Sequence, residues 1–160
     1  MLTVHLICVG KLKERFYQQA VQEYVKRLGP YCRLQIDEIP ESRLSPSPSD
    51  AEISAALKKE ADQIRKCISR SGIVIASCIE GKTMSSQDFS ALLEKYELAG
   101  TSSITFLIGG SFGLNEALKQ EAELRLSMSP MTFPHHLARV MLLEQIYRAF
   151  QIRTGGRYHK

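Results

Sequence analysis

Ser103-Ile104-Thr105-Phe106-Leu107-Ile108-Gly109-Gly110-Ser111-Phe112-Gly113-Leu114 is the stretch whose reading decides the fold. Its first half is apolar and rich in β-branched and aromatic residues, the composition of a buried strand. Its second half places glycines at 109, 110 and 113 directly after that strand. Glycine lets a backbone approach a ligand closely, and ligands of α/β sheets bind outside the carboxyl ends of the strands. The spacing is not Gly-x-Gly-x-x-Gly, and no acid placed to hold a ribose follows it. On these residues alone, a structural turn and a ligand loop both stay open.

Outward from this stretch, similar apolar runs occupy residues 3–9, 34–39 and 73–79, with a weaker one at 124–128. Helical spacing fills the gaps. Phe16, Ala20, Tyr24 and Leu28 form one stripe, which Gly29-Pro30 stops. Asp50 is placed to cap a helix that buries Ile53, Ala56, Leu57, Ile64 and Ile68. Ser85 or Ser86 caps another, with Phe89, Leu92, Leu93 and Tyr96 inward and Gly100 at its end. Strand and helix in alternation predict an α/β fold with a mostly parallel sheet flanked by helices. The 160 residues suit a single domain, 1–160, with 41–49 a Ser-Pro-rich loop inside it.

The last helix is predicted from His135 to about Ile152, with Pro134 at its first position. Leu137, Val140, Met141, Leu142, Leu143, Ile146, Tyr147 and Phe150 cover most of its circumference. Such a helix should pack on two sides, one against its own sheet and the other against a second copy of the chain. Arg139 projects into the apolar sector and needs a partner, since an unpaired buried charge is very costly.

Composition excludes several classes. Apolar content of 44% and charged content of 24% are ordinary globular values. The run at 2–9 is too short to span a bilayer and lacks the flanks of a signal peptide, so a soluble, cytoplasmic protein is expected. Cys8, Cys32, Cys67 and Cys78 lie far apart, which suits buried thiols and neither a metal site nor a disulfide framework. Gly81-Lys82-Thr83 lacks the upstream glycine of a phosphate loop, because Ala76 stands there. The net charge of +4 is mild but concentrated: Arg139, Arg148, Arg153, Arg157 and Lys160 face only Glu144, and Lys11, Lys13 and Arg15 follow the first strand. Such groups suit a polyanion, or simply a solvated surface.

Two further segments carry chemistry. Residues 126–135 combine two prolines, hydroxyls and apolar side chains before a helix, and could hold a purine between apolar groups while backbone polar groups read its edge. The tail ends Arg157-Tyr158-His159-Lys160, with a ring to stack on a base, an imidazole to move a proton and cations for phosphate.

Together, Val9-Gly10-Lys11-Leu12-Lys13-Glu14, Lys26-Arg27-Leu28-Gly29-Pro30, Gly81-Lys82, Ile108-Gly109-Gly110-Ser111-x-Gly113, Met131-Thr132-Phe133-Pro134-His135, Glu144-Gln145-x-Tyr147-Arg148-Ala149 and Tyr158-His159-Lys160 resemble the RlmH family of ribosomal RNA large-subunit methyltransferases. The likeness runs end to end. It implies a SPOUT-class fold with a deep C-terminal trefoil knot, a rare exception to unknotted chains. It further implies a homodimer, S-adenosyl-L-methionine bound in the knot, and methylation at N3 of a pseudouridine in large-subunit (23S) rRNA on assembled ribosomes. By the same resemblance the cofactor site falls on Ser77, Gly109 and Met128-Ser129-Pro130-Met131-Thr132-Phe133, to which the residue reading adds Gly110. The family usually carries a leucine and an acid where this chain has Ser77-Cys78.

The expected chemistry follows. Positioning of methyl and base supplies most of the acceleration. His159 accepts or relays the N3 proton, and Tyr158 stacks on or hydrogen-bonds the base. Arg139 and Arg148, with Arg153, Arg157 and Lys160, hold phosphate or developing negative charge. No metal or membrane is implied. Two rivals stand beside this reading: a non-catalytic ribosome-binding factor using the same basic tail, and a small α/β enzyme acting on free nucleotides.

Overall fold

Strands separated by helices cannot form tight hairpins, and every ladder in the sheet is parallel. The computed structural model describes residues 1–160. In chain order the elements are β1 (Thr3–Val9), α1 (Arg15–Leu28), β2 (Arg33–Ile39), α2 (Asp50–Cys67), β3 (Ile73–Lys82), α3 (Ser86–Leu98), β4 (Ser103–Ile108), α4 (Glu116–Glu121), β5 (Leu124–Leu126) and α5 (His135–Arg153). They build one sheet in the order β2-β1-β4-β3-β5. The α/β architecture is therefore the one the alternation predicts.

Pleating divides the core in two. Val4, Leu6 and Cys8 of β1 join Ile104, Phe106 and Ile108 of β4 against apolar residues of α1, α3 and α5. Ile7, Val9 and Leu107 face the other way, onto Ala61 and Ile64 of α2 and Leu118 of α4. Both faces of β1 and β4 are covered, so these central strands read as continuous apolar runs.

Several boundaries differ from the sequence reading, each for a local reason. The cap of α2 is Ser49, one residue before Asp50: its Oγ accepts from the Glu52 amide at 3.2 Å while Glu52 reaches back to the Ser49 amide, a capping box. Ser85, not Ser86, caps α3 by accepting from the Asp88 amide at 3.0 Å. Pro134 lies just outside α5 with extended ψ, and its carbonyl accepts the first helical bond from Ala138 at 2.9 Å. β5 stops at Leu126, short of the run expected to 128. α4, six residues capped by Asn115, is too short to leave a periodic signal.

The packing of α5 gives more of its surface to its own chain than its apolar circumference suggests. Leu142, Leu143, Ile146, Ala149 and Phe150 are all buried within the single chain. The helix lies over β4 with α1 on one side and α3 on the other. Its apolar circumference is thus largely absorbed by three neighbours of its own chain. Leu137, Val140, Met141 and Tyr147 stay half-buried; Val140 and Tyr147 pack against the core, and Leu137 and Met141 are the apolar residues of the remaining face.

Candidate active site

Where β3 and β4 end, the chain leaves the sheet twice and encloses a cavity of about 630 Å³. That is within the roughly 300–1,000 Å³ of small-molecule sites. Ser77 and Ile108, paired in the β3–β4 ladder, form its floor. The glycine-rich loop forms one wall, and the segment from Met128 to the start of α5 forms the other. Of the nine expected cofactor residues, Ser77, Gly109, Gly110, Met128, Ser129, Met131, Thr132 and Phe133 all meet here. Pro130 does not line the cavity. A cleft of similar volume, about 650 Å³, lies between residues 40–44 and α2, but mostly charged and polar side chains line it and no glycine-rich backbone enters.

The loop's glycines have a reason in the loop itself. A Cβ on Gly109 would collide with the backbone of Gly113, lying 2.8 Å from its Cα, and Gly113 itself has φ of +78°. The amide of Gly113 donates to the Gly110 carbonyl at 3.0 Å, closing a tight turn. The bare backbone facing the cavity follows from this turn.

Phe112, half-exposed at the loop tip, joins the expected Met131 in giving the mouth an apolar rim. Sequence reading missed Phe112 and the charged wall residues Glu80 and Lys119. Glu80 and Lys119 form an ion pair at the edge, and the Lys119 ammonium holds the Glu80 carboxyl below its ordinary range. His135 contributes its ring at the start of α5, 4.1 Å from that of His136 between centroids. Burial, reinforced by His136, holds the His135 imidazole below its ordinary pKa. Only the pairing of Lys119 with an acid three residues before it, Glu116, left a trace in the sequence.

The tail docks elsewhere. Tyr158 donates its hydroxyl to Glu144 at 3.1 Å and meets the Tyr147 ring edge-on at 5.0 Å. The Arg148 guanidinium lies 4.7 Å from the Tyr158 ring centroid. Burial and then the Glu144 bond raise the Tyr158 pKa. His159 sits between Arg148, 3.3 Å from Nδ1, and Gln87, 2.8 Å from Nε2.

Arg139 belongs to neither place. It is 1% exposed and donates to Glu38 at 2.7 Å and to the Gly10 carbonyl at 3.0 Å. This is the partner its position demanded, and it leaves no surface for phosphate. Arg148 pairs with Glu144 at 2.6 Å and Arg153 with Glu97, while Arg157 and Lys160 are exposed.

A family model described as "Predicted SPOUT methyltransferase" matches residues 2–159. The chain belongs to the SPOUT methyltransferase family. Relatives named Ribosomal RNA large subunit methyltransferase H are 46% identical in Clostridium botulinum (strain 657 / Type Ba4) and 44% identical in Streptococcus equi subsp. zooepidemicus (strain MGCS10565), each over 99% of this chain and 100% of the relative. Among solved structures, a probable methyltransferase from Bordetella pertussis Tohama I superposes with a TM-score of 0.58 at 12% identity, covering 91% of this chain and 95% of that one. A probable methylase family protein from Haemophilus influenzae Rd KW20 gives 0.57 at 12% identity, over 99% and 70%. At such identities these two speak to fold alone.

For a SPOUT methyltransferase the cavity has the parts that holding a methyl donor requires: exposed backbone at the strand ends, apolar side chains, and few charges in its walls. Ser77 and Cys78 both line it: the Ser77 backbone is held by pairing with Ile108 and Leu126, and Cys78 lies just beyond that pairing. No helix of this methyltransferase is long and apolar enough to cross a membrane.

Proposed function

We propose that this methyltransferase moves a methyl group from S-adenosyl-L-methionine to N3 of a pseudouridine in 23S rRNA, acting in the cytoplasm as a homodimer on assembled ribosomes. The observation that carries the reading is similarity along 99% of the chain to relatives named for large-subunit rRNA methylation. The cavity fits the donor: its volume is ample, and the Gly109–Gly113 turn lines one wall with backbone. Met128 and Phe133 would flank the adenine, and the backbone at Gly109 and Gly110 would face the ligand. Bound there, S-adenosyl-L-methionine supplies an electrophilic sulfonium methyl. SPOUT membership also carries the expectation of a C-terminal trefoil knot around this site.

The chain's own residues do the rest. The walls fix the donor, so that a base held at the mouth lies in line with the methyl, and positioning supplies most of the acceleration. N3–H must lose its proton, and His159 is the acceptor or relay, with Tyr158 against the base. Arg157 and Lys160 meet phosphate first, being exposed, with Arg148 and Arg153 joining once released from their carboxylates. Arg139, being buried, positions Glu38 and the Gly10 backbone and touches no RNA.

The tail and the cavity of one chain lie apart. Ala138 lines the cavity while Arg148 holds the tail, and ten residues of helix at 1.5 Å each separate them by about 15 Å. In a dimer joined along α5, the tail of one protomer would serve the cavity of the other. Mass spectrometry of large-subunit rRNA from cells with and without the gene tests the whole reading: a methyl mark lost with the gene supports it, and an unchanged rRNA overturns it. Methylation of free nucleotides by the purified enzyme, with ribosomes untouched, would favour the nucleotide enzyme instead.

A further inference from the structure

A carboxylate that does not line the cavity spans the backs of both its walls. Glu41 follows β2, and its Oε1 accepts the Ser111 amide of the glycine-rich loop at 2.8 Å. The same oxygen occupies the space a side chain on Gly110 would need: a Cβ there would lie 2.6 Å from it and 3.1 Å from Val9. Gly110 is therefore bare on the side away from the ligand, and the carboxylate seats directly on the loop.

The other oxygen points at the second wall. A Cβ built on Gly10 would lie 3.6 Å from Glu41 Oε2, 3.6 Å from His135 Nε2 and 3.7 Å from His136 Nε2, so the three polar atoms converge over one residue. His135 Nε2 is buried without a hydrogen-bond partner, and its ring is part of the cavity wall at the start of α5. His136 is tied to Glu14 at 3.5 Å, and Arg139 beneath is tied to Glu38 and Gly10. Glu41 is thus a carboxylate that accepts from the glycine-rich loop and stands near the unpartnered imidazole.

We propose that Glu41 is a positioning residue for the methyl donor, fixing the glycine-rich loop through the Ser111 amide and its seat against Gly110, beside the first turn of α5. This rests on the reading that the cavity holds the donor. It also explains why the loop after β2, outside the cavity, opens with an acid that reaches the glycine-rich loop. Acting through backbone, Glu41 should govern donor affinity and leave the chemical step alone.

Titration calorimetry with S-adenosyl-L-methionine, together with steady-state methylation of ribosomes, tests this. Glu41→Ala removes the acceptor from the Ser111 amide, a bond of the charge-assisted kind, and should weaken donor binding about tenfold. Its KM for the donor should rise in step while kcat at saturating donor stays within about threefold. Glu41→Gln keeps an oxygen for the Ser111 amide and should recover most of the affinity. Donor binding by Glu41→Ala equal to wild type overturns the inference, as does a fall in kcat at unchanged KM, or a Gln variant as impaired as Ala. Failure of the wild-type protein itself to bind the donor overturns the reading of the cavity and is seen before any variant is made.

Discussion

At the scale of single residues, Gly109 and Arg139 carry the most. The sequence leaves structural turn and ligand loop both open for these glycines, and Gly109 is required first by the backbone of Gly113. Gly109→Ala should therefore open the turn and displace the cavity wall it forms. Local strain of about 1–3 kcal/mol is expected, read as a lower midpoint in urea, together with loss of measurable donor binding. A variant with unchanged stability would mean that the loop yields at no cost. Arg139→Met leaves Glu38 and the Gly10 carbonyl without their donor. Removing one partner of a fully buried pair costs about 3–5 kcal/mol, and the loss here should be smaller, because the Glu38 side chain is 34% exposed and can rehydrate. Burial pushes the Glu38 carboxyl up, but bonds from Arg139 and the Leu12 amide prevail and hold it below its ordinary 4.5. A depressed carboxyl contributes stability above its unfolded pKa, and loses it as pH falls through the folded value. Urea midpoints measured from pH 7 to pH 3 should thus fall less steeply with acid in Arg139→Met than in wild type, and parallel curves would show that the pair contributes nothing.

Among elements, α5 decides most. Its sequence shows an apolar surface nearly all round, and that periodicity alone cannot say which neighbour covers which side. Within one chain α1, α3 and the sheet cover Leu142 and Ile146, so glutamate at either position would unfold the protomer and say nothing about association. The half-buried outer face is the surface that reports on a dimer. Met141→Glu should leave circular dichroism and thermal melting close to wild type, while light scattering at micromolar concentration shifts from dimer to monomer. A wild type that is already monomeric, or a variant that stays dimeric, would place the interface elsewhere. The other element boundaries follow local chemistry: caps at Ser49, Ser85 and Asn115 each accept the amide three residues on, and one-residue errors at Asp50 and Pro134 arise because neighbouring residues compete for the same cap.

For the molecule as a whole, the separation of tail and cavity is the governing fact. Deleting residues 158–160 removes the contacts of Tyr158 and His159 with Glu144, Arg148 and Gln87, none of which belongs to the buried core. Fold and donor affinity should persist, while methylation of ribosomes falls by about 10²–10⁴, the usual worth of a general base, with base positioning lost besides. Near wild-type turnover would remove His159 from the chemistry and direct attention to His135 in the cavity wall. Mixing the tail-deleted chain with Gly109→Ala should restore part of the activity, because a mixed dimer pairs one intact cavity with one intact tail. Absence of any restoration would mean that each tail serves its own cavity.

The sequence by itself determined the α/β class, the parallel sheet, the strand at Ser103–Ile108 and most of the residues that meet in the cavity. These are readable because apolar periodicity and glycine placement are local in the chain. Only the tertiary structure decided that Arg139 is satisfied by Glu38, 101 residues away, and that α5 is enclosed by its own neighbours. It alone set Glu41 against Ser111 across 70 residues, and it docked the tail at the far end of α5 from the cavity. Such pairings depend on crossovers between strands that are not consecutive in the sheet, and no local pattern records which distant side chain a buried charge will find.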